Sequence, residues 1–267
     1  MVKVKFPLPW WEGIFTPTLT LPHQGGGDFG SFYRFVMFLD TMIVSAAGGI
    51  LCLDRILLQA MISRPIVAAP VIGLILGDPY TGLVTGAFIE LFWIDRLPIG
   101  AYVPPNDTMA AILIAASAIG SGRILGALPE GLIALAVLIF VPLGIVAQKM
   151  DRWIVKGNER PAREALSDAA RGDFRAIARK HLAAILKTYL LSVVFILIAL
   201  PIGTGLLIWI YPRLAPWTVR GLTLVYAALP LIGAAVALNT IHLRGTIPIF
   251  CAIFLTATVS LGFIRGN

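Results

Sequence analysis

From about residue 35 the chain alternates apolar runs with short polar breaks, and the lengths of those runs set the expected elements. FVMFLDTMIVSAAGGILCL (35–53), interrupted only by Asp40, is long enough to cross or nearly cross a bilayer. PIVAAPVIGLILGD (65–78) has fourteen residues, short of the roughly twenty a span requires, and reads as a half-span or re-entrant element. TGLVTGAFIELFWI (81–94) follows. PIGAYVPPNDT (98–108) is too polar and too kinked for a lipid-facing helix, and non-helical backbone at membrane depth must be buried in protein or line a wet cavity. MAAILIAASAIG (109–120) and the full span LPEGLIALAVLIFVPLGIVAQKM (128–150) come next, and further spans are expected at 182–211, 218–238 and 246–264.

Between them, residues 151–181 carry nearly all the charge of the middle chain, including Arg152, Lys156, Arg160, Arg163, Arg171, Arg175, Arg179 and Lys180. The positive-inside bias makes this a basic cytoplasmic loop, with a surface helix expected over 162–178. The first 34 residues lack a sustained apolar run and a signal-peptide h-region. They are expected to form a poorly structured tail, or an extension upstream of the true start, ahead of a membrane domain over 35–267.

Composition agrees with the pattern. Hydrophobic residues make up 58% and charged residues 13%, and the mean hydropathy is +0.88. The runs lack the alternation of an outer-membrane barrel, so the fold class is all-α: a polytopic helical membrane protein with broken or re-entrant helical elements. The net charge of +7 collects beside apolar spans, which argues against nucleic acid. Cys52 and Cys251 lie in apolar surroundings without CxxC spacing and read as small core hydrophobes. Neither a metal nor a cofactor is expected, and no Ser/His/Asp set, P-loop or metal-ligand cluster is present to make or break covalent bonds. The glycine pairs Gly73/Gly77 and Gly82/Gly86 point to close helix packing within one subunit before any dimer motif.

Polar residues inside the apolar stretches are the candidates for function. An ionised carboxylate in a membrane helix must be paired, protonated or wet, which makes Glu90 a site candidate. Its structural alternative is a pair with Arg96, Arg64 or a helix N-terminus. Asp95 and Arg96, adjacent at the end of their run, read as residues snorkelling to the interface. In PPNDT, prolines leave backbone groups open while Asn106, Asp107 and Thr108 offer the donors and acceptors that a sugar's hydroxyls require, with Trp93 or Tyr102 available to cover an apolar sugar face. The alternative there is an N-cap for the helix that follows, and both can hold. Asn239, near the end of an otherwise apolar helix, is as well explained by capping or anchoring as by ligand contact.

Residues 53–112 carry SRPIVAAP, GLILGDPYTG, the G-x-x-x-E of Gly86 to Glu90 and PIGAYVPPND in order and at short spacing. In this the chain resembles the IIC membrane subunit of the mannose/fructose/sorbose family of the bacterial phosphoenolpyruvate-dependent sugar phosphotransferase system, and more loosely it does so over 37–264. The resemblance implies a multi-pass protein of the bacterial cytoplasmic (inner) membrane that binds a hexose or amino sugar and passes it inward. It implies a IID membrane partner, soluble IIA and IIB subunits that carry the phosphoryl chemistry, and an oligomeric assembly. Enzyme status stays open, since no phosphoryl-transfer site is expected in this chain. Carried over by position, Glu90, Asn106, Asp107 and Asn239 are the expected sugar-binding residues, in a broken-helix pocket near the membrane midplane. WIDRLP (93–98) departs from the family's less charged pattern, which leaves the particular sugar open. Beside this reading stand a proton-coupled secondary transporter with Glu90 as its titrating group, and a non-transporting membrane scaffold or receptor.

Overall fold

The computed structural model describes residues 29–240 apart from 56, 58, 97–99 and 101, together with 248, 251, 255 and 256; side chains are described from residue 37. Most of the expected tail and nearly all of the expected last span, 246–264, lie outside these residues. The chain divides between Leu39 and Asp40 into two compact units, and the second holds nearly every described element.

Among the described residues the protein is helical and has no strand. Helix α1 (Phe29–Leu53) is followed by a connection over 54–64, then by α2 (Pro65–Ile75) and α3 (Pro79–Phe92). After residues 93–106 come α4 (Asp107–Leu125), α5 (Glu130–Ala170), α6 (Phe174–Ile210) and α7 (Pro216–Thr240), the long helices of the described chain. Four of them, α4 to α7, are long and apolar enough to cross a membrane.

Local chemistry explains the short pair. Pro65 and Pro79 each open a helix at a position where the missing N–H costs nothing. Gly77, at φ +77°, ends α2, and Asp78 caps α3 by accepting from the Thr81 N–H at 3.0 Å and the Thr81 hydroxyl at 2.6 Å. The two helices then pack backbone to backbone. A Cβ on Gly73 would stand 2.5 Å from the Asp78 carbonyl oxygen, one on Gly82 2.4 Å from that of Ala69, and one on Gly86 2.4 Å from that of Pro65. Gly73, Gly82 and Gly86 therefore serve packing within the subunit while Gly77 ends α2, and the short element expected over 65–78 forms a hairpin with α3 that the sequence alone does not specify.

Helix α4 is the axis of the bundle. It packs against α2, α3, α5 and α6, and nearly every residue from Thr108 to Ile119 is buried. Ser117 and Ser121 tolerate that burial by donating to the carbonyls of Ile114 and Ser117 in their own helix, at 3.2 and 2.6 Å. Helix α7 packs on α3 and α5 and keeps much of its apolar surface outside, with Trp217, Leu224 and Leu231 exposed. In a bilayer such a surface meets lipid or another subunit.

The segment expected as a loop over 151–181 with a surface helix over 162–178 is instead the far end of two helices that meet within that stretch. Helices α5 and α6 have 41 and 37 residues, which at a 1.5 Å rise makes each about 55–60 Å long, well beyond the ~30 Å hydrocarbon layer. They turn at 171–173, where Asp173 caps α6 on the Ala176 N–H. Polar composition misled here: a water-exposed helix has the hydropathy of a loop, and the helix is supported by i,i+4 pairs, Arg160–Glu164 at 2.9 Å and Glu159–Arg163 at 3.9 Å. Cys52 is buried as expected, whereas Cys251 is exposed.

Candidate functional site

The hairpin geometry brings the broken segments to one end. Pro65 and Gly86 are neighbours, as are Gly73 and Asp78, so α2 leaves from and α3 returns to the same level. The connections over 54–64 and 93–106 therefore meet at the end of the bundle that continues into the basic α5–α6 extension. Between them and the walls of α5 and α6 lies a cavity of about 550 Å³. The Asn106 N–H donates to the Gly144 carbonyl at 2.9 Å and the Asn106 side chain meets Asp151 at 2.9 Å, so the cavity lies beside the stretch where the apolar run of α5 gives way to its polar extension.

Asn106 is 2% exposed, and both its amide oxygen and its amide nitrogen are engaged. Its Oδ1 accepts from the Met109 N–H at 2.9 Å, capping α4, while its Nδ2 donates to Asp151. Gly144 makes that approach possible, because a Cβ there would fall 2.8 Å from the Trp93 ring and 3.2 Å from the Asn106 carbonyl oxygen. Asp107, the first residue of α4, accepts from Arg55 at 3.0 Å and from the Thr108 N–H at 2.9 Å through the same oxygen, Oδ1. Thr108 in turn donates its hydroxyl to the Ser63 carbonyl at 2.6 Å, tying α4 to the 54–64 connection. Gln148 donates to the Val103 carbonyl at 2.5 Å and so holds the proline-rich segment against α5.

The 54–64 connection is organised by Asp54, which is 1% exposed. Its two oxygens accept from the Ala60 N–H at 2.9 Å and from the Ser63 N–H and hydroxyl, each at 3.0 Å. These bonds hold Gln59 and Met61 at φ +51° and +63°, a region costly for residues with a Cβ.

Glu90 takes the structural partner weighed from the sequence: Arg64 donates to it at 2.6 Å, and the Ile66 N–H in the first turn of α2 lies 3.5 Å from its other oxygen. Arg64 lines the cavity; Glu90 stands behind it. Asp95 and Arg96 pair with each other at 3.3 Å. Asn239 is exposed on the penultimate residue of α7 and does not line the cavity. Thus Asn106 and Asp107 meet in one chamber, Glu90 bears on it through Arg64, and Asn239 stands apart.

Three charged lining residues were not anticipated from the sequence: Asp54, Arg55 and Asp151. Asp54 and Arg55 follow directly on an apolar run, where a charge reads as an interface anchor, and Asp151 opens the polar stretch after another. Only the fold joins Asp151 to Asn106, 45 residues away. Among the described residues no group of His, Cys, Asp or Glu side chains converges as a metal site would require.

Comparison with known proteins agrees with this architecture. A family model described as the PTS system sorbose-specific IIC component matches residues 37–264. The mannose-specific EIIC component of the PTS of Escherichia coli K12 is 24% identical over 236 residues, covering 85% of both chains, and the sorbose-specific EIIC component of Klebsiella pneumoniae is 25% identical over 208 residues, 76% of this chain and 71% of its own. Among solved structures, a chain from the complex of the mannose transporter ManYZ with microcin E492 is similar in fold, with a TM-score of 0.53 at 21% identity over 86% of this chain and 92% of its own. Another, described only as a membrane protein, reaches 0.64 at 22% identity over the same shares. With that family model matched across residues 37–264, the chain belongs to the sorbose-type family of IIC components of the sugar phosphotransferase system.

Proposed function

We propose that this protein is the sugar-translocating IIC subunit of a mannose-family phosphotransferase system, and that its sugar rests in the cavity at the basic end of the bundle. The observation that carries the assignment is the chamber itself: about 550 Å³, within the range of small-molecule sites, built from the two interrupted backbone segments and lined by carboxylates, hydroxyls and guanidinium groups beside Trp93 and Tyr102. Sugar hydroxyls both donate and accept, so mixed polar walls with an aromatic flank suit them.

In this reading Asp107 and Arg55 contact sugar, Asn106 fixes the N-terminus of α4 beside it, and the Glu90–Arg64 bridge holds Arg64 at the chamber wall. The extended α5–α6 hairpin lies in the cytoplasm by the positive-inside bias, and the protein resides in the bacterial inner membrane. The chamber therefore opens toward the compartment in which IIA and IIB would supply phosphate, and the apolar flank of the bundle faces lipid and a IID subunit. The α2–α3 hairpin, locked backbone to backbone by its glycines, moves as one body against α4–α6 when access alternates.

The test is uptake of a panel of labelled hexoses and amino sugars by cells carrying this gene with IIA, IIB and IID partners, scoring whether the internal sugar is its phosphate. Phosphorylated product that requires this chain supports the assignment. Free internal sugar would support a proton-coupled carrier instead, and no uptake of any sugar would support a scaffold or receptor.

A further inference from the structure

The carboxylates around the chamber are not equivalent. Glu90 is taken up by Arg64 at 2.6 Å and Asp95 by Arg96 at 3.3 Å. Asp54 spends both oxygens on the Ala60 and Ser63 donors of its own connection. Two carboxylates remain, Asp107 on α4 and Asp151 on α5, and Arg55, which bonds Asp107 at 3.0 Å, is the lining guanidinium that no carboxylate outside this pair engages. Each is only half used. Arg55 and the Thr108 N–H both fall on Oδ1 of Asp107, and Asn106 falls on Oδ2 of Asp151. Among the described residues no donor sits on Asp107 Oδ2 or Asp151 Oδ1. The lining basic residues other than Arg55 are Arg64 and Arg96, which are engaged by Glu90 and Asp95.

We infer that Asp151 is a specificity-determining residue of the sugar site, and that with Asp107 it selects a hexose bearing a free amino group over the neutral parent sugar. The inference rests on the sugar-binding reading above. Of Asp107 and Asp151, one guanidinium compensates one, so a negative charge with open oxygens is left without a cation, beside the hydrogen-bonded Asp54, in a chamber that loses water when sugar enters. A neutral hexose can satisfy the open oxygens with hydroxyl donors but leaves that charge in place, and an uncompensated charge in a desolvated site is costly. An ammonium group supplies up to three donors and the missing positive charge together. An N-acetylated sugar keeps the nitrogen but not the charge, so it ranks with the neutral sugars. Asn106 does not compete for this role, because both ends of its amide are committed to Met109 and Asp151; it is a positioning residue that orients the Asp151 carboxylate.

The experiment uses the complete complex in cells and compares uptake of a 2-amino-2-deoxyhexose, its N-acetyl derivative and the parent hexose. The expected ratio of KM values favours the amine by roughly tenfold or more, as close charge pairs commonly yield. Asp151→Asn, which keeps an oxygen for the Asn106 amide, should collapse the ratio of the amine to the parent hexose, and Asp151→Glu should restore part of it. KM values that change together in Asp151→Asn, leaving the ratio intact, would overturn the inference. So would a wild-type ratio near one, which decides the matter even if the variant fails to accumulate. Uptake of no sugar by the wild-type complex overturns the sugar-binding reading itself, whereas uptake without preference for the amine overturns only the role of Asp151.

Discussion

Asp54 carries the connection between α1 and α2. A carboxylate that is 1% exposed and accepts three hydrogen bonds from one short loop is replaceable only at the expense of every donor it satisfies. Each buried donor left without a partner costs about 1–3 kcal/mol, so Asp54→Ala is expected to release Gln59 and Met61 from their left-handed backbone and to reduce the amount of protein in the membrane. Quantitative blotting of membrane fractions checks this. Glu90→Gln acts differently, because it keeps an acceptor for Arg64 but removes the charge. Arg64 is 42% exposed, so solvent screens the bridge; a loss of about 1 kcal/mol, or roughly fivefold in sugar affinity, is expected without loss of protein. Sugar binding to the purified complex measures it, and unchanged affinity would show that Glu90 has no bearing on the chamber. From the sequence, Glu90, Asn106 and Asp107 stood out because polar groups in apolar stretches are expensive. Asp54, Arg55 and Asp151 did not, because each stands where an apolar run ends, and there a charge needs no explanation.

At the scale of elements, the glycines of the α2–α3 hairpin set how closely two helices approach. Gly86→Ala places a methyl group 2.4 Å from the Pro65 carbonyl oxygen, a backbone atom that cannot swing aside, and should destabilise by about 1–3 kcal/mol. Gly205→Ala, within α6 and with no heavy atom near its would-be Cβ, should instead gain up to about 1 kcal/mol from helix propensity. Thermal unfolding of the two variants in detergent should therefore shift the midpoint in opposite directions. Equal shifts would mean that the hairpin is less closely packed than its backbone geometry requires. The first arm of the hairpin was legible in the sequence as a half-span or re-entrant element, since a run bounded by Pro65 and Gly77-Asp78 is too short to span, whereas its pairing with α3 was not. Over 151–181 a surface helix was legible, but not that α5 and α6 run on through it, because their solvated ends have the hydropathy of a loop. Charges spaced four apart, Arg160 with Glu164 and Glu159 with Arg163, were the available signal, and hydropathy outweighed it.

For the molecule as a whole, the α5–α6 extension joins the membrane bundle to water. Asp168 clamps its tip, bound by Lys180 and, at 2.6 Å, by Arg171, and these two cations hold its carboxyl below the ordinary value of 3.8. A lowered value makes the carboxylate bind protons less readily in the folded than in the unfolded chain, so its contribution is fully present above the ordinary value and is lost as pH falls through the folded one. Amide exchange at the hairpin tip, corrected for intrinsic rates, should therefore be flat from about pH 5 to 8 and rise only below about 4. In Asp168→Asn it should be raised several-fold already at neutral pH. The chamber's place at the head of this extension was not readable from the sequence, because it depends on α2 and α3 folding back to the end they started from, and that pairing is set by contacts between residues far apart in sequence.

The position of the sugar decides between these mechanisms. The most direct measurement is the structure of the complete IIC–IID complex at saturating sugar. Sugar density in the chamber between α4 and α5, within hydrogen-bonding distance of Asp107 or Asp151, is the predicted result. Density at the opposite end, beside the Arg123–Asp40 pair, or along the exposed face of α7 near Asn239, with the chamber empty, would contradict it.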